Sequence, residues 1–268
     1  MLKGCDRMKT DFIEDGHGSA VMLIHSTVAG NKQWRKLIEY LSPQYRVIAP
    51  NLFGYGSSPK WLKKRNQTLS DQVDLLRGFF DENESISIVG HSFGGSVAMM
   101  AAKEYAKKIK KLVLIEPNPF YLLENHSDPD SYQEALNLRD IIKTNAAKET
   151  WGQAAQQFAD YWNGSETWKQ MDEPRREKFA EALKPNFHEF DCVINETTTL
   201  EEWREVLPIN THILFSEQTV NSIRKIVNIF EETMQNWTFH SYSEGTHMAP
   251  LTHPYVVNPI IHKILTEV

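Results

Sequence analysis

The chain has 268 residues, 41% of them hydrophobic and 24% charged, with a net charge of −6 and a pI of about 5.9. That balance fits a globular protein with a sizeable core and excludes the basic face that nucleic-acid binding requires. The apolar runs are strand-sized, so no membrane association is expected, and the opening MLKGCDRMKTDF lacks the apolar stretch of a secretory signal.

Two cysteines, Cys5 and Cys192, are too few for a disulfide framework, and a reduced, cytoplasmic setting is expected. Along the chain, strand and helix signals alternate. TDFIEDG and SAVMLIHS are short β-like runs joined by a turn at Gly16 to Gly18. NKQWRKLIEYLS places Trp34, Leu37, Ile38 and Leu41 at helical spacing. YRVIAP is the next strand, stopped by Pro50, and Ser70 is placed to cap a helix carrying Val73, Leu76, Phe79 and Phe80. SISIVG then predicts a strand, SVAMMAAKEYAKKI a helix, and KLVLIEP a strand ending at Pro117.

Residues 118–208 break the rhythm. They hold helix-like runs and no convincing strand, and Trp151, Trp162, Trp168 and Trp203 all fall within them. Alternation resumes with THILFS, SIRKIVNIFEETM, WTFHSYSE and a last helix near YVVNPIIHKIL. The expected organisation is an α/β core with a parallel sheet over residues 1–117 and 209–268, interrupted by a helical insertion over 118–208.

ISIVGHSFGG, at 86–95, carries the chemistry. Gly90-His91-Ser92-Phe93-Gly94 matches G-x-S-x-G between a strand and a helix, the setting that motif requires. A nucleophile on so sharp a turn sits in strained backbone, and glycines remove the collisions that neighbouring side chains would make. The turn projects the Ser92 hydroxyl above the sheet and leaves the Phe93 N–H at a helix start, where it can meet an oxyanion. The plainer alternative is a Gly-rich turn with an incidental serine.

With these motifs the chain resembles the α/β-hydrolase fold family over nearly its whole length. VMLIHSTVAGNKQW resembles the family's oxyanion loop, VIAPNLFGYGSSP its D-x-x-G-x-G-x-S turn with Asn51 in place of aspartate, and SEGTHMAPLTHP its histidine loop. The resemblance implies an eight-stranded, mostly parallel sheet with a lid inserted after the sixth strand. It also implies His247 as general base and the backbone N–H groups of Thr27 and Phe93 as the oxyanion hole. The family usually has His-Gly where this chain has His25-Ser26, so Ser26 is expected to reshape the hole, with His25 a structural part of the loop.

The orienting acid departs from the pattern. It commonly follows the seventh strand, where this chain reads ILFSEQTVNS, with Thr219 near the expected aspartate and Glu217 two residues early. Some members place it at the end of the sixth strand, where this chain has Glu116. Glu116 is the candidate and Glu217 the alternative; either keeps the chain order serine, acid, histidine. His253 is a candidate support for the histidine loop.

The resemblance therefore implies a serine hydrolase of the carboxylesterase type, acting through an acyl-enzyme on a small ester, thioester or amide-like acyl substrate, with no metal or organic cofactor. The alternatives are a hydrolase-fold binding or receptor protein with slow or no turnover, and an acyltransferase using the same residues. Relatives that dehalogenate or open epoxides use an aspartate where this chain has Ser92. HSDPD at 126–130 and KWLKKR at 60–65 are expected to be solvated loops; the insertion's tryptophans either line an acyl or aromatic pocket or pack against the core, with packing expected for most of them.

Overall fold

The computed structural model describes residues 10–124 and 129–267. Seven strands form one sheet: β1 (Phe12–Asp15), β2 (Ser19–Ile24), β3 (Tyr45–Pro50), β4 (Ile86–His91), β5 (Ile109–Ile115), β6 (Thr211–Ser216) and β7 (Thr238–Tyr242). Their order is β1-β3-β2-β4-β5-β6-β7. Every pair is parallel except β1 with β3, which runs antiparallel with Phe12 opposite Pro50. The sheet therefore has seven strands among the described residues where eight were expected, and the insertion follows the fifth of them rather than the sixth. The strand-like run TDFIEDG supplies only the edge strand β1, and it pairs with β3 rather than with its sequence neighbour.

The central strands are apolar on both faces, as a sheet covered on both sides demands. Val21, Leu23, Val47, Val89, Val113 and Leu214 pack toward α1 (Arg35–Leu41) and a C-terminal helix carrying Val257 and Ile261. The alternate residues Met22, Ile24, Ile88, Leu112, Leu114 and Ile213 face the opposite core, shared with α2 (Leu69–Glu82) and α3 (Phe93–Glu104). No helix among the described residues is long and apolar enough to cross a membrane.

The cap of α2 is Thr68, not Ser70. Thr68 Oγ1 accepts from the Asp71 N–H at 3.3 Å and Asp71 Oδ2 accepts from the Thr68 N–H at 2.9 Å, a reciprocal capping box. Ser70 would have had Val73 three residues on, which offers no acceptor. The KWLKKR loop is less solvated than its composition suggests. Trp61 is buried, Arg65 grips Asp71 through two hydrogen bonds of 2.7 and 2.5 Å, and Lys63 and Arg65 lie over the Trp61 ring.

Between β5 and β6 the described chain is wholly helical or coiled. A short turn at Phe120–Leu123 leads to α4 (Pro129–Ala147), α5 (Trp151–Asn163), α6 (Glu173–Leu183), α7 (Asn186–Ile194) and α8 (Leu200–Val206). Their apolar faces, including Leu138, Ile142, Phe158 and Phe190, join the core on the α2–α3 side. Of HSDPD, Pro129 and Asp130 open α4, while His126 to Asp128 lie outside the described residues, as does Cys5. The chain closes with α9 (Asn221–Thr233), α10 (Ala249–Thr252) and α11 (Pro254–Thr266).

Candidate active site

Strand β4 delivers Ser92 and strand β5 delivers Glu116. The register places His91 opposite Ile115, so Ser92 and Glu116 follow a paired rung, and the Ser92 N–H donates to the Ile115 carbonyl at 2.9 Å. Both then turn sharply. Ser92 has φ 55° and Glu116 φ 44°, a region that side-chain-bearing residues seldom occupy. The Ser92 turn closes only because its neighbours lack side chains. A Cβ on Gly90 would lie 2.4 Å from the Gly94 carbonyl oxygen, and one on Gly94 would lie 2.3 Å from that of Ile24.

His247 comes from the loop between β7 and α10. Its Nε2 lies 2.9 Å from Ser92 Oγ and its Nδ1 2.5 Å from Glu116 Oε2. A carboxylate can only accept from Nδ1, so the proton sits there and Nε2 is left to accept from the serine hydroxyl. All three side chains are buried. Glu116 is held in turn: Oε1 accepts from the Ser216 N–H and Oε2 from Thr219 Oγ1, each at 2.7 Å. Thr219, the residue near the expected aspartate, thus fixes a carboxylate arriving from the neighbouring strand. Glu217 is not brought to the site. It is exposed, and its carboxylate accepts from Ser241 Oγ at 3.1 Å.

The backbone N–H groups of Thr27 and Phe93 have no acceptor among the described residues. Ser26, the residue expected to reshape the hole, is tied into a buried chain of hydrogen bonds. Its hydroxyl donates to Gln33 Oε1 at 2.7 Å, and Gln33 Nε2 donates to His91 Nδ1 at 3.0 Å. His91 Nε2 then donates to the His247 carbonyl at 2.9 Å. This chain of side chains ties the loop after β2, the serine turn and the histidine loop together. Burial holds the His91 pKa well below its ordinary value, so it stays neutral and serves as a bridge. His25 is also neutral, its pKa pushed down to about 4 by burial. Its Nε2 accepts from the Leu52 N–H at 3.0 Å and its Nδ1 donates to the Ser26 carbonyl, a structural part. His253 packs against Gly245, where a Cβ would fall 2.8 Å from His253 Nδ1.

Three residues join the site from the insertion: Trp162, one of the tryptophans the sequence offers as pocket lining, and Asn186 and Glu189, which have no sequence signal. Trp162, on α5, stacks on His247 with ring centroids 4.1 Å apart and planes 27° apart. It is the exception among the tryptophans; Trp203 is core, its Nε1 donating to Tyr121 OH at 2.5 Å. Glu189, on α7, is 1% exposed, and its Oε2 accepts from Thr27 Oγ1 at 2.6 Å and from Asn186 Nδ2 at 3.0 Å. Its Oε1 accepts at 2.9 Å from Tyr55 OH, which itself accepts from the Val28 N–H at 3.1 Å. Burial raises the Glu189 pKa above its ordinary value. These contacts span 162 and 134 residues of chain, so no local pattern could announce them.

A family model described as the alpha/beta hydrolase fold matches residues 19–186. The chain belongs to the α/β hydrolase fold family. Among curated relatives of this α/β hydrolase fold protein, the cis-3-alkyl-4-alkyloxetan-2-one decarboxylase of Shewanella oneidensis is 30% identical over 118 residues, 42% of this chain and 37% of that protein. The 2-hydroxy-6-oxo-6-(2'-aminophenyl)hexa-2,4-dienoic acid hydrolase of Metapseudomonas resinovorans is 32% identical over 150 residues, 53% of this chain and 47% of that protein. Both matches span less than half of the relative's own length. Among solved structures, a thermophilic esterase from Thermogutta terrifontis with malate bound aligns with a TM-score of 0.70 and 21% identity, over 96% of this chain and 92% of that one. At that identity the likeness is one of fold.

Proposed function

We propose that this α/β hydrolase fold protein is a serine hydrolase that splits a small ester, thioester or amide-like substrate through an acyl-enzyme. The observation that carries the reading is the unbroken line Ser92 Oγ, His247 Nε2, His247 Nδ1, Glu116 Oε2, with links of 2.9 and 2.5 Å. Ser92 Oγ attacks the carbonyl carbon while its proton passes to His247 Nε2. The carbonyl oxygen takes the negative charge and lies against the N–H groups of Thr27 and Phe93. The bond to the leaving group breaks, and the His247 proton goes to the departing atom. Water then attacks the Ser92 ester by the same route in reverse order, giving the free acid and restoring the serine. Trp162, face-on to the imidazole, meets the cation formed in each half-reaction.

A fluorophosphonate, which traps an activated serine, is the direct test. One adduct is expected on Ser92, seen as a single mass increment and absent from Ser92→Ala. Equal labelling of Ser92→Ala would overturn the assignment; no labelling of the native protein would favour a binding role for the fold.

In this reading, residues 118–208 act as a lid, since α5 and α7 carry the groups that roof the serine. Lids gate access and exclude water. Backbone hydrogen exchange is expected to be faster over α4 to α6 than over β4 and β5. Equal protection of the two regions would argue for a fixed roof.

A further inference from the structure

Gln33 lines neither of the cavities that open at Ser92, yet its side chain joins the three loops of the site. It lies in the short turn Asn31–Trp34, which is pinned where the Asn31 N–H donates to Asn51 Oδ1 at 2.7 Å. Gln33 is buried, as are Ser26, His91 and His247, which it links.

Each of its partners stands next to a reacting group. Gln33 Oε1 accepts from Ser26 Oγ at 2.7 Å and from the Ser26 N–H at 3.2 Å, and Ser26 directly precedes Thr27, the proposed oxyanion donor. Gln33 Nε2 donates to His91 Nδ1 at 3.0 Å, and His91 directly precedes Ser92. His91 Nε2 donates in turn to the carbonyl of His247 itself at 2.9 Å. One amide therefore reaches the oxyanion loop, the serine turn and the histidine loop at once.

The direction of these bonds is unique. A carbonyl can only accept, so His91 carries its proton on Nε2 and turns the lone pair of Nδ1 toward Gln33. Gln33 must then donate to His91 and accept twice from Ser26. Glutamate would supply no donor, and methionine neither donor nor strong acceptor. The chain is also uncharged. Burial, reinforced by the neighbouring His247, holds the His91 pKa well below its ordinary value. The His91 and His247 rings lie 4.9 Å apart, so a charge on His91 would oppose the proton that His247 takes from Ser92.

Resting on the serine-hydrolase reading above, we infer that Gln33 is a positioning residue: its neutral amide holds Thr27, Ser92 and His247 in mutual register, and it does so without placing a charge beside the imidazole. It touches no reacting atom, and its whole effect passes through Ser26 and His91.

The test compares Gln33→Met and Gln33→Glu with the native full-length protein on 4-nitrophenyl acetate. Fluorophosphonate titration counts the serines that still react, and kcat is expressed per titrated serine, so a loss of folded protein does not enter. Gln33→Met is expected to lower that kcat by about 10- to 100-fold with KM within about twofold, since small misplacements of reacting groups are costly. Gln33→Glu should fall at least as far: it keeps the Ser26 bonds, but it meets the His91 lone pair with a carboxylate unless a proton is taken up. Ser26→Ala should cost about threefold alone and nothing further in the Gln33→Met background. A kcat per titrated serine within twofold of native in either Gln33 variant overturns the inference, and so do additive losses in the Ser26→Ala, Gln33→Met double variant. Those outcomes leave Ser92 labelling intact; if the native protein labels on no serine and cleaves no ester, the serine-hydrolase reading falls and takes the inference with it.

Discussion

Glu116→Gln is expected to lower kcat by roughly 10⁴-fold with KM little changed and the protein still folded. The amide has one workable orientation. Its oxygen must take the Ser216 N–H, which Glu116 Oε1 now accepts at 2.7 Å, because an NH₂ there would face a donor. The nitrogen then faces His247 Nδ1 and donates to it, forcing the imidazole proton onto Nε2. In that tautomer Nε2 points a hydrogen at Ser92 Oγ and cannot accept the hydroxyl proton. Glu217→Gln is the control and should stay within about twofold, since its carboxylate is exposed and accepts from Ser241 Oγ away from His247. Steady-state kinetics of both variants, with circular dichroism to verify folding, decides the matter. Reversed effects would move the acid to Glu217, and two active variants would leave serine and histidine working as a dyad.

Glu189→Gln should separate activity from stability. Glu189 reaches the proposed oxyanion donor Thr27 only by its hydroxyl, and holds the neighbouring Val28 N–H through Tyr55 OH. An amide cannot accept from all three donors. The loop after β2 should loosen, and kcat should fall by about 10- to 100-fold, less than the 10²–10³ seen when such a donor is removed outright. Stability should move the other way. The pKa of Glu189 is raised in the fold by burial, so in the range between its unfolded and folded values the native state binds more protons than the unfolded chain. Native stability therefore falls as pH rises through that range, and the deficit persists above it. Glutamine has no such term. The melting temperature of Glu189→Gln relative to the native protein should climb with pH and then level off. A parallel loss of kcat and melting temperature at every pH would make Glu189 a packing residue and nothing more.

What could be read from the chain alone follows from how local each cause is. The serine turn is legible because strain, serine and relieving glycines all lie within 90–95. The alternation of strands and helices is legible because each apolar run carries its own period. Glu116 is nominated because the loop after β6 lacks a carboxylate at the usual point and because some members of the family carry the acid at the end of the strand before the insertion. Glu189 and Asn186 were out of reach, since each matters for what it touches across the fold and neither stands in a recognisable pattern; the tryptophans of the insertion were visible as a group, but not which of them meets His247. The cap of α2 was misplaced by two residues because Thr68 and Ser70 are alike in type; only the reciprocal partner, Asp71, separates them. The strand count was set by likeness to a family, and the sheet has its own edge.

The placement of Glu116 has an evolutionary consequence. Ser92 and Glu116 each follow the last paired rung of the β4–β5 ladder, His91 opposite Ile115, so hydrogen-bond register, rather than the length of any loop, sets the distance between them. The segment after β6 is relieved of a duty it commonly bears: it need only present the Ser216 amide and the Thr219 hydroxyl. On its far side it is bounded by α9, whose first turn is buried at Ser222 and Ile223, so the exposed Glu217 is the natural place for descendants of this chain to diverge.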